Sequence, residues 1–236
     1  MQPSYLPWVG YFNLIINSDV FIFLDDVQYS KNSFFNRNKY PAKNSESFCW
    51  LTVPVRRASS SQLLNETYLV EDTNWRKKHL TAIKLLYGQE ECFSDFFPIL
   101  EKSIKDESLT TLANINISLI KAICAYLEID KQFYISSELK ISGSRSDRLV
   151  TLCKKFGCQI YLSPAGAQDY IEEDNILPPS GIKIIYQNYI CKEYVQKGID
   201  CFVPYMSIID LVFRYNKTSV KRYLFQDLLA ADEALR

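Results

Sequence analysis

The sequence predicts an α/β fold with a mostly parallel sheet, and three observations carry that prediction. Short apolar runs (Val20 to Leu24, Phe133 to Ile135, Ile160 to Leu162, Ile182 to Tyr186) alternate with helix-length amphipathic stretches, the pattern of βαβ units. The runs are apolar throughout rather than alternating, as strands covered on both faces are. With 236 residues, 47% of them apolar and 14% aromatic, the chain can bury a substantial core. One domain over residues 1–236, with a helical insert at 73–130, is the expected organisation.

Pro7 can open a first helix at N1, with Tyr11, Leu14 and Ile15 as its buried stripe and Asn17-Ser18-Asp19 as its end. Val20 to Leu24 reads as a buried strand stopped by Asp25-Asp26. The stretch from there to Ser47 has no period and reads as a functional loop. Phe48 to Val55 is the next strand, with Pro54 at its exit. Thr73 or Asn74 caps a helix to Tyr87, closed by Gly88, and Leu109, Leu112, Leu119, Ile123 and Leu127 trace a longer helix within 108–129. After the strand at 133–135, Ser144 or Ser146 caps a helix ended by Gly157. Ile160 to Leu162 runs into the small-residue loop Ser163-Pro164-Ala165-Gly166, and Ser207 to Arg214 and Ser219 to Leu229 read as terminal helices.

Composition removes several classes. Lys and Arg number 27 against 27 Asp and Glu, so the charge excess of a protein that binds nucleic acid chiefly through phosphates is absent, although a local basic patch is compatible with that sum. The seven cysteines are scattered with no C-x-x-C spacing, which argues against a zinc ribbon and for reduced thiols. No apolar run approaches the roughly 20 residues of a membrane-spanning helix. Without a signal-peptide pattern at Met1-Gln2-Pro3, a cytoplasmic location is expected.

Chemistry-bearing residues crowd two segments, Gln2 to Phe12 and Asp25 to Asn38. Ligands of open α/β sheets sit beyond the carboxyl ends of the strands, where the loop before the first helix and the loop after the adjoining strand both face. Trp8, Tyr5 and Tyr11 can stack on a planar or sugar ring. Gly10, the helix N-terminal N–H groups, Lys31 and Arg37 suit a phosphate or carboxylate, with Gln2, Asp25, Asp26, Gln28, Asn36 and Asn38 beside them. The plain alternative is that the two aspartates cap a turn, Arg37 neutralises them and the aromatics are core. Adjacent aspartates on an extended segment point to opposite faces, which disfavours a two-aspartate metal clamp. His79, the single histidine, is a candidate acid/base group, a surface residue being the plain alternative. Arg148 is an anion-pairing candidate. In the loop after Leu162, Ser163, Gly166 and Tyr170 let a ligand approach the backbone, and the pattern is not a G-x-S-x-G elbow.

These residues carry a resemblance. Gln2-Pro3-x-Tyr5-Leu6-Pro7-Trp8-x-Gly10-Tyr11-Phe12 with Leu14-Ile15, then Asp25-Asp26-Val27-Gln28-Tyr29, Lys31 and Asn36-Arg37-Asn38, resembles the signature of the WbqC-like protein family. The likeness continues through Leu51-Thr52-Val53-Pro54-Val55, Trp75 to His79, Asp147-Arg148-Leu149, Asp169-Tyr170-Ile171 and Phe202 to Leu211. Two places depart from the family: its His-Pro pair is replaced near Ile190-Cys191-Lys192, and its Asn-x-Gly reads Arg214-Tyr215-Asn216. Family members carry a short apolar strand before the Gln-Pro pair, so the resemblance implies a strand that this sequence lacks. A fold-level analogy adds that Pro7 to Tyr11 sits where nucleotidyltransferase-like Rossmann proteins such as pantothenate synthetase carry His-x-Gly-His, with Trp8 and Tyr11 replacing the histidines.

The resemblance implies a Rossmann-like α/β protein of bacterial surface-glycan (O-antigen) biosynthesis that transfers an aminoacyl group, glycine in particular, onto the amine of a nucleotide-linked amino sugar. In that reading Lys31 and Arg37 hold phosphate or carboxylate, and Asp26 or His79 takes the proton of the attacking amine, Asp26 needing a raised pKa to do so. ATP or an aminoacyl donor supplies the acyl group. A tRNA donor would be met by basic residues around Arg56-Arg57 or Arg76-Lys77-Lys78. The alternative is a non-catalytic module that binds a sugar nucleotide or a partner enzyme.

Overall fold

The computed structural model describes residues 1–42, 48–56, 59, 61–141, 143, 145–196, 199 and 201–225. Ser144, Arg57 and the predicted helical residues after Phe225 lie outside them.

The protein is a mixed α/β, Rossmann-like fold built on two parallel strand pairs. β1 (Val20–Phe23) pairs with β4 (Gln132–Ile135) in the register Val20 to Gln132 and Phe23 to Ile135. β5 (Ile160–Ser163) pairs with β6 (Lys183–Tyr186), Ile160 opposite Lys183. On the side of β1 away from β4, the Met1 amino group donates to the Ile22 carbonyl at 2.7 Å and the Leu24 N–H donates to the Met1 carbonyl at 3.0 Å. Those two bonds are one rung of a parallel ladder. Next to that rung, β1 and β5 line opposite sides of a cavity of about 800 Å³. Burial pushes the Met1 amino group down to about 5, since the charged form is poorly solvated there. Fusing a short Val- and Ile-rich segment to Met1 is expected to extend the ladder into this cavity. It would raise the melting temperature, whereas a Gly/Ser segment of equal length would not, as thermal unfolding of the two fusions can check.

α1 (Val9–Ile16) buries Tyr11, Leu14 and Ile15, but Trp8 is its N-cap, so Pro7 lies one residue before the cap rather than at N1. The stretch to Ser47, expected to be all loop, contains β2 (Arg37–Pro41), antiparallel to β3 (Phe48–Thr52). Arg, Asn and Lys hid this strand, because only one of its faces is covered. α2 (Trp75–Tyr87) begins after Asn74, and α4 (Leu112–Tyr126) is capped by Thr111, whose hydroxyl accepts from the Asn114 N–H. Between them α3 (Phe93–Lys105) escaped the sequence reading because it contains Pro98, whose missing N–H weakens a helix. Burial of Phe96, Leu100 and Ile104 along one face offsets that loss. These three helices share one core with α1, β1 and α7 (Ile208–Arg214).

α5 (Arg145–Lys155) starts before Ser146, whose hydroxyl donates to Asp174 instead of capping. α5, β5, α6 (Gln168–Asp174) and β6 contribute to a smaller second cluster. α8 (Lys217–Leu224) is capped by Asn216, so the altered Arg214-Tyr215-Asn216 segment still ends one helix and starts another. Among the described residues, no helix is long and apolar enough to cross a membrane.

Candidate functional site

The site is built around the loop Gln2 to Trp8, which lies between the Met1 rung and α1. Leu6 in this loop has φ +43°, a left-handed conformation that a leucine holds only when its surroundings fix it. They do. Asn38 Nδ2 donates to the carbonyls of Tyr5 and Leu6 at 3.2 and 2.7 Å, and Ser207 Oγ donates to Leu6 at 2.7 Å. Asn116 Nδ2, from α4, donates to Pro3 at 3.0 Å and Phe35 at 2.8 Å. The Ile208 N–H donates to the Pro7 carbonyl at 2.9 Å. Three parts of the chain, around Asn38, Asn116 and Ser207-Ile208, thus pin one strained loop.

Beside it opens a second cavity of about 360 Å³, whose lining includes Ser4, Trp8, Phe34, Asn38, Lys39 and Tyr205. Its walls are aromatic. The Trp8 indole lies edge-on between Tyr189 and Tyr205, at centroid distances of 5.4 and 5.2 Å. Tyr205 is half exposed and, like Leu6, takes a positive φ, +59°. Gly10 makes the Trp8 position possible, because a Cβ there would lie 2.1 Å from an indole carbon. Gly10→Ala is therefore expected to expel the indole, raising acrylamide quenching of Trp8 fluorescence in a background with the other two tryptophans replaced. The lost ring contacts cost roughly 0.5–1.5 kcal/mol each.

At the carboxyl ends of β1 and β4 lies a polar cluster. The Ser136 hydroxyl donates to Asp25 Oδ1 at 3.0 Å and to Asp26 Oδ1 at 2.5 Å, so the two carboxylates converge instead of pointing to opposite faces. They do so because both lie past the end of β1, where alternation no longer applies. Asp25 is buried and also accepts from the Ser137 N–H and hydroxyl and from Asn65 Nδ2. Asp26 is ion-paired with Arg148 from the first turns of α5. Burial opposes ionisation of Asp26, but hydrogen bonds from Arg148 and Ser136 and the charge of Arg148 outweigh it and hold the carboxyl below its ordinary range. The raised pKa expected of a base at Asp26 is thus replaced by a lowered one.

His79 is displaced from the chemistry altogether. It is 6% exposed and lines neither cavity. The Thr52 carbonyl, 3.2 Å from Nε2, can only accept, so Nε2 carries the proton and Nδ1 accepts from the Tyr5 hydroxyl at 2.8 Å. Burial lowers its pKa to about 4. With its one lone pair occupied by Tyr5, it has nothing to offer a substrate amine. Tyr5 is fully buried by the same arrangement and stacks on no ligand.

The other expected site residues divide. Gln2, Gly166 and Tyr170 line the large cavity, while Trp8, Tyr11 and Asn38 line the small one. Tyr11 is nearly buried, its hydroxyl donating to the Gln2 carbonyl at 3.1 Å. Asn36 is buried, donating to the Val53 carbonyl. Ser163 is fully buried within the β5–β6 pair, with its hydroxyl on the Pro164 carbonyl. Arg37 stacks on Trp50, 4.1 Å from the ring centre, rather than neutralising the aspartates. Lys31 and Gln28 are exposed and line neither cavity. Lys39, Phe34 and Tyr205 were missed. The Lys39 signal lay in the alternation of the overlooked strand, and that of Tyr205 in the Phe202 to Ser207 motif, to which no role was given. Among the described residues, no three His, Cys, Asp or Glu side chains form a group that would hold a metal ion.

A Rossmann-like α/β protein with a cavity at a pinned loop and a polar cluster at strand ends is the class that fold and site define. Residues 2–222 match the WbqC-like protein family, and the chain belongs to it. The chain is also similar to an uncharacterized protein of Mycobacterium tuberculosis (strain ATCC 25618 / H37Rv), Rv1507c, at 32% identity over 214 residues, covering 90% of this chain and 91% of the other. No solved structure matches.

Proposed function

We propose that this WbqC-like protein is a cytoplasmic transferase of bacterial surface-glycan (O-antigen) biosynthesis that moves an aminoacyl group, such as glycine, onto the amine of a nucleotide-linked amino sugar. The observation that carries the reading is the aromatic cavity of Trp8 and Tyr205 with Lys39 at its wall, anchored on a loop that three chain segments pin. Aromatic faces suit sugar and base rings, and a lysine suits a diphosphate. Asp26, kept ionised by Arg148, serves to hold the substrate ammonium by charge and hydrogen bond, and a carboxylate held below its ordinary range leaves the proton of the attacking amine to solvent. Lys31, Arg37 and Arg148 are the cations available to phosphate or to the acyl donor, and ATP or a preformed aminoacyl ester supplies the activated carbonyl.

Incubating the protein with a nucleotide-linked amino sugar and either ATP with glycine or glycyl-tRNA, followed by mass spectrometry for the glycylated sugar, tests the reading. No product from any amino acid or donor would sink it. Asp26→Asn is expected to raise the KM for the amino sugar roughly 10-fold or more, as loss of a charge-assisted hydrogen bond does, while binding of a sugar nucleotide that lacks the amine, by calorimetry, is retained. Retained binding with no turnover in the parent protein would instead favour the binding-module alternative.

A further inference from the structure

The β2–β3 hairpin presents a face that the fold leaves partly open, with Pro41 buried at one end and Arg37 and Lys39 half-buried. Directly paired residues of an antiparallel ladder share a face, so Arg37, Lys39 and Pro41 lie beside Thr52, Trp50 and Phe48. The opposite face, with Asn38 and Leu51, is the buried one. Phe48 is 40% exposed, Trp50 36% and the adjoining Phe34 48%, and their ring centres lie within 6.0 Å of one another in the order Phe48, Trp50, Phe34. Two cations are laid on these rings: the Arg37 guanidinium 4.1 Å above Trp50 and the Lys39 ammonium 4.7 Å above Phe48.

Charge along this part of the chain is strongly one-sided. From Val27 to Asn65 the sequence contains six Lys and Arg (Lys31, Arg37, Lys39, Lys43, Arg56, Arg57) and one acid, Glu46. A formally neutral protein therefore concentrates an excess of five positive charges on one segment. The hairpin face is a flat strand surface, unlike the concave sites that enclose small molecules. Phe34 and Lys39 belong both to this face and to the wall of the Trp8 cavity, so the strip leads to the mouth of that cavity.

We infer that the exposed hairpin face binds the single-stranded end of an RNA, its bases stacked on Phe34, Trp50 and Phe48 and its phosphates met by Arg37 and Lys39. Exposed rings interleaved with cations are what single strands require, since every base has a face to stack and every linkage a charge. Arg37, seated on Trp50, brings the planar charged group that pairs with a phosphate through two parallel hydrogen bonds. The inference gives the acyl donor of the proposed reaction a chemical class, an aminoacyl ester on a single-stranded RNA terminus. It rests on that reading for the donor role, but the binding is measured without it.

Fluorescence anisotropy with a labelled single-stranded RNA of about a dozen nucleotides tests the surface. Binding is expected to weaken steeply with salt. Trp50→Ala should weaken it roughly 5- to 150-fold, the loss of one stacked base. Lys39→Gln should lower the slope of log affinity against log salt by about 0.7. Neither side chain is buried in the core, so the variants are expected to retain the parent's circular dichroism. No salt-dependent binding, unchanged binding in both variants, or equal affinity for duplex RNA, heparin or anionic vesicles would overturn the inference. RNA binding without any glycyl transfer from charged tRNA would leave the surface standing and remove the donor role. Transfer from ATP and glycine with no RNA bound would overturn the surface and the RNA donor together and leave the transferase reading standing.

Discussion

Asp210→Ala is expected to destabilise the protein by about 3–5 kcal/mol, the cost of leaving a buried charge without its partner. Asp210 is fully buried in α7 and accepts from Tyr87 at 2.9 Å, Tyr194 at 2.8 Å, Gln196 at 3.1 Å and Arg214 at 3.1 Å. Arg214 is 4% exposed and also reaches Glu90 at 2.7 Å. Burial alone would lower the Arg214 pKa, yet Asp210 and Glu90 outweigh it and keep the guanidinium charged. Alanine would leave that charge with Glu90 alone and take the shared acceptor from three further donors. Against a typical domain stability of about 5–15 kcal/mol, this is a large fraction. Urea unfolding of Asp210→Ala and Asp210→Asn measures it, with the asparagine variant falling between parent and alanine. A shift below about 1 kcal/mol for alanine would show that the network relaxes around the loss.

The second large effect is a loss of stability on acidification through His79. In the unfolded chain a histidine takes up its proton near pH 6.5, whereas His79 in the fold resists until about 4. Above the unfolded value both states are neutral and the contribution is fully present. As the pH falls from there to about 4, only the unfolded state binds the proton, so stability drops by about 3 kcal/mol. Glutamine at position 79 can accept from Tyr5 and donate to Thr52 without titrating. His79→Gln is thus expected to flatten the pH dependence of unfolding free energy over that window while leaving stability at neutral pH close to the parent's. Equal slopes in the two proteins would mean that His79 protonates readily in the fold. Asp26 acts in a lower window: its carboxylate, held below the ordinary range, contributes above that range and loses its contribution as the pH falls through its own pKa.

Much of the fold was legible because its signals are local. Among the described residues, five of the six strands and the buried stripe of α1 follow from apolar runs and spacing alone, and Gly157 marks the end of α5 with a φ of +65°. β2 and α3 were not legible for opposite reasons. The polar strand is held by its ladder to β3 and by covering one face, while the proline-bearing helix is held by Phe96, Leu100 and Ile104 in a core assembled from distant segments. The candidate site was legible as a neighbourhood and misread in its parts. Trp8, Gly10, Asn38 and the Asp26–Arg148 pairing stand where chemistry can use them, but Tyr5 and His79 satisfy each other inside the core.

By itself the sequence determined the α/β class, the element order apart from β2 and α3, and the membership carried by its motifs, since these depend on composition and on spacing along the chain. Only the tertiary structure decided which polar groups remain available. It sets a hydroxyl on the His79 lone pair and a guanidinium on Asp26, and it brings Tyr205 to Trp8 across the length of the chain. It also turns Phe34, Trp50 and Phe48 outward beside Arg37 and Lys39. The physical reason is that a side chain's protonation, exposure and partners are set by the groups folding places against it, and those groups lie far away in sequence.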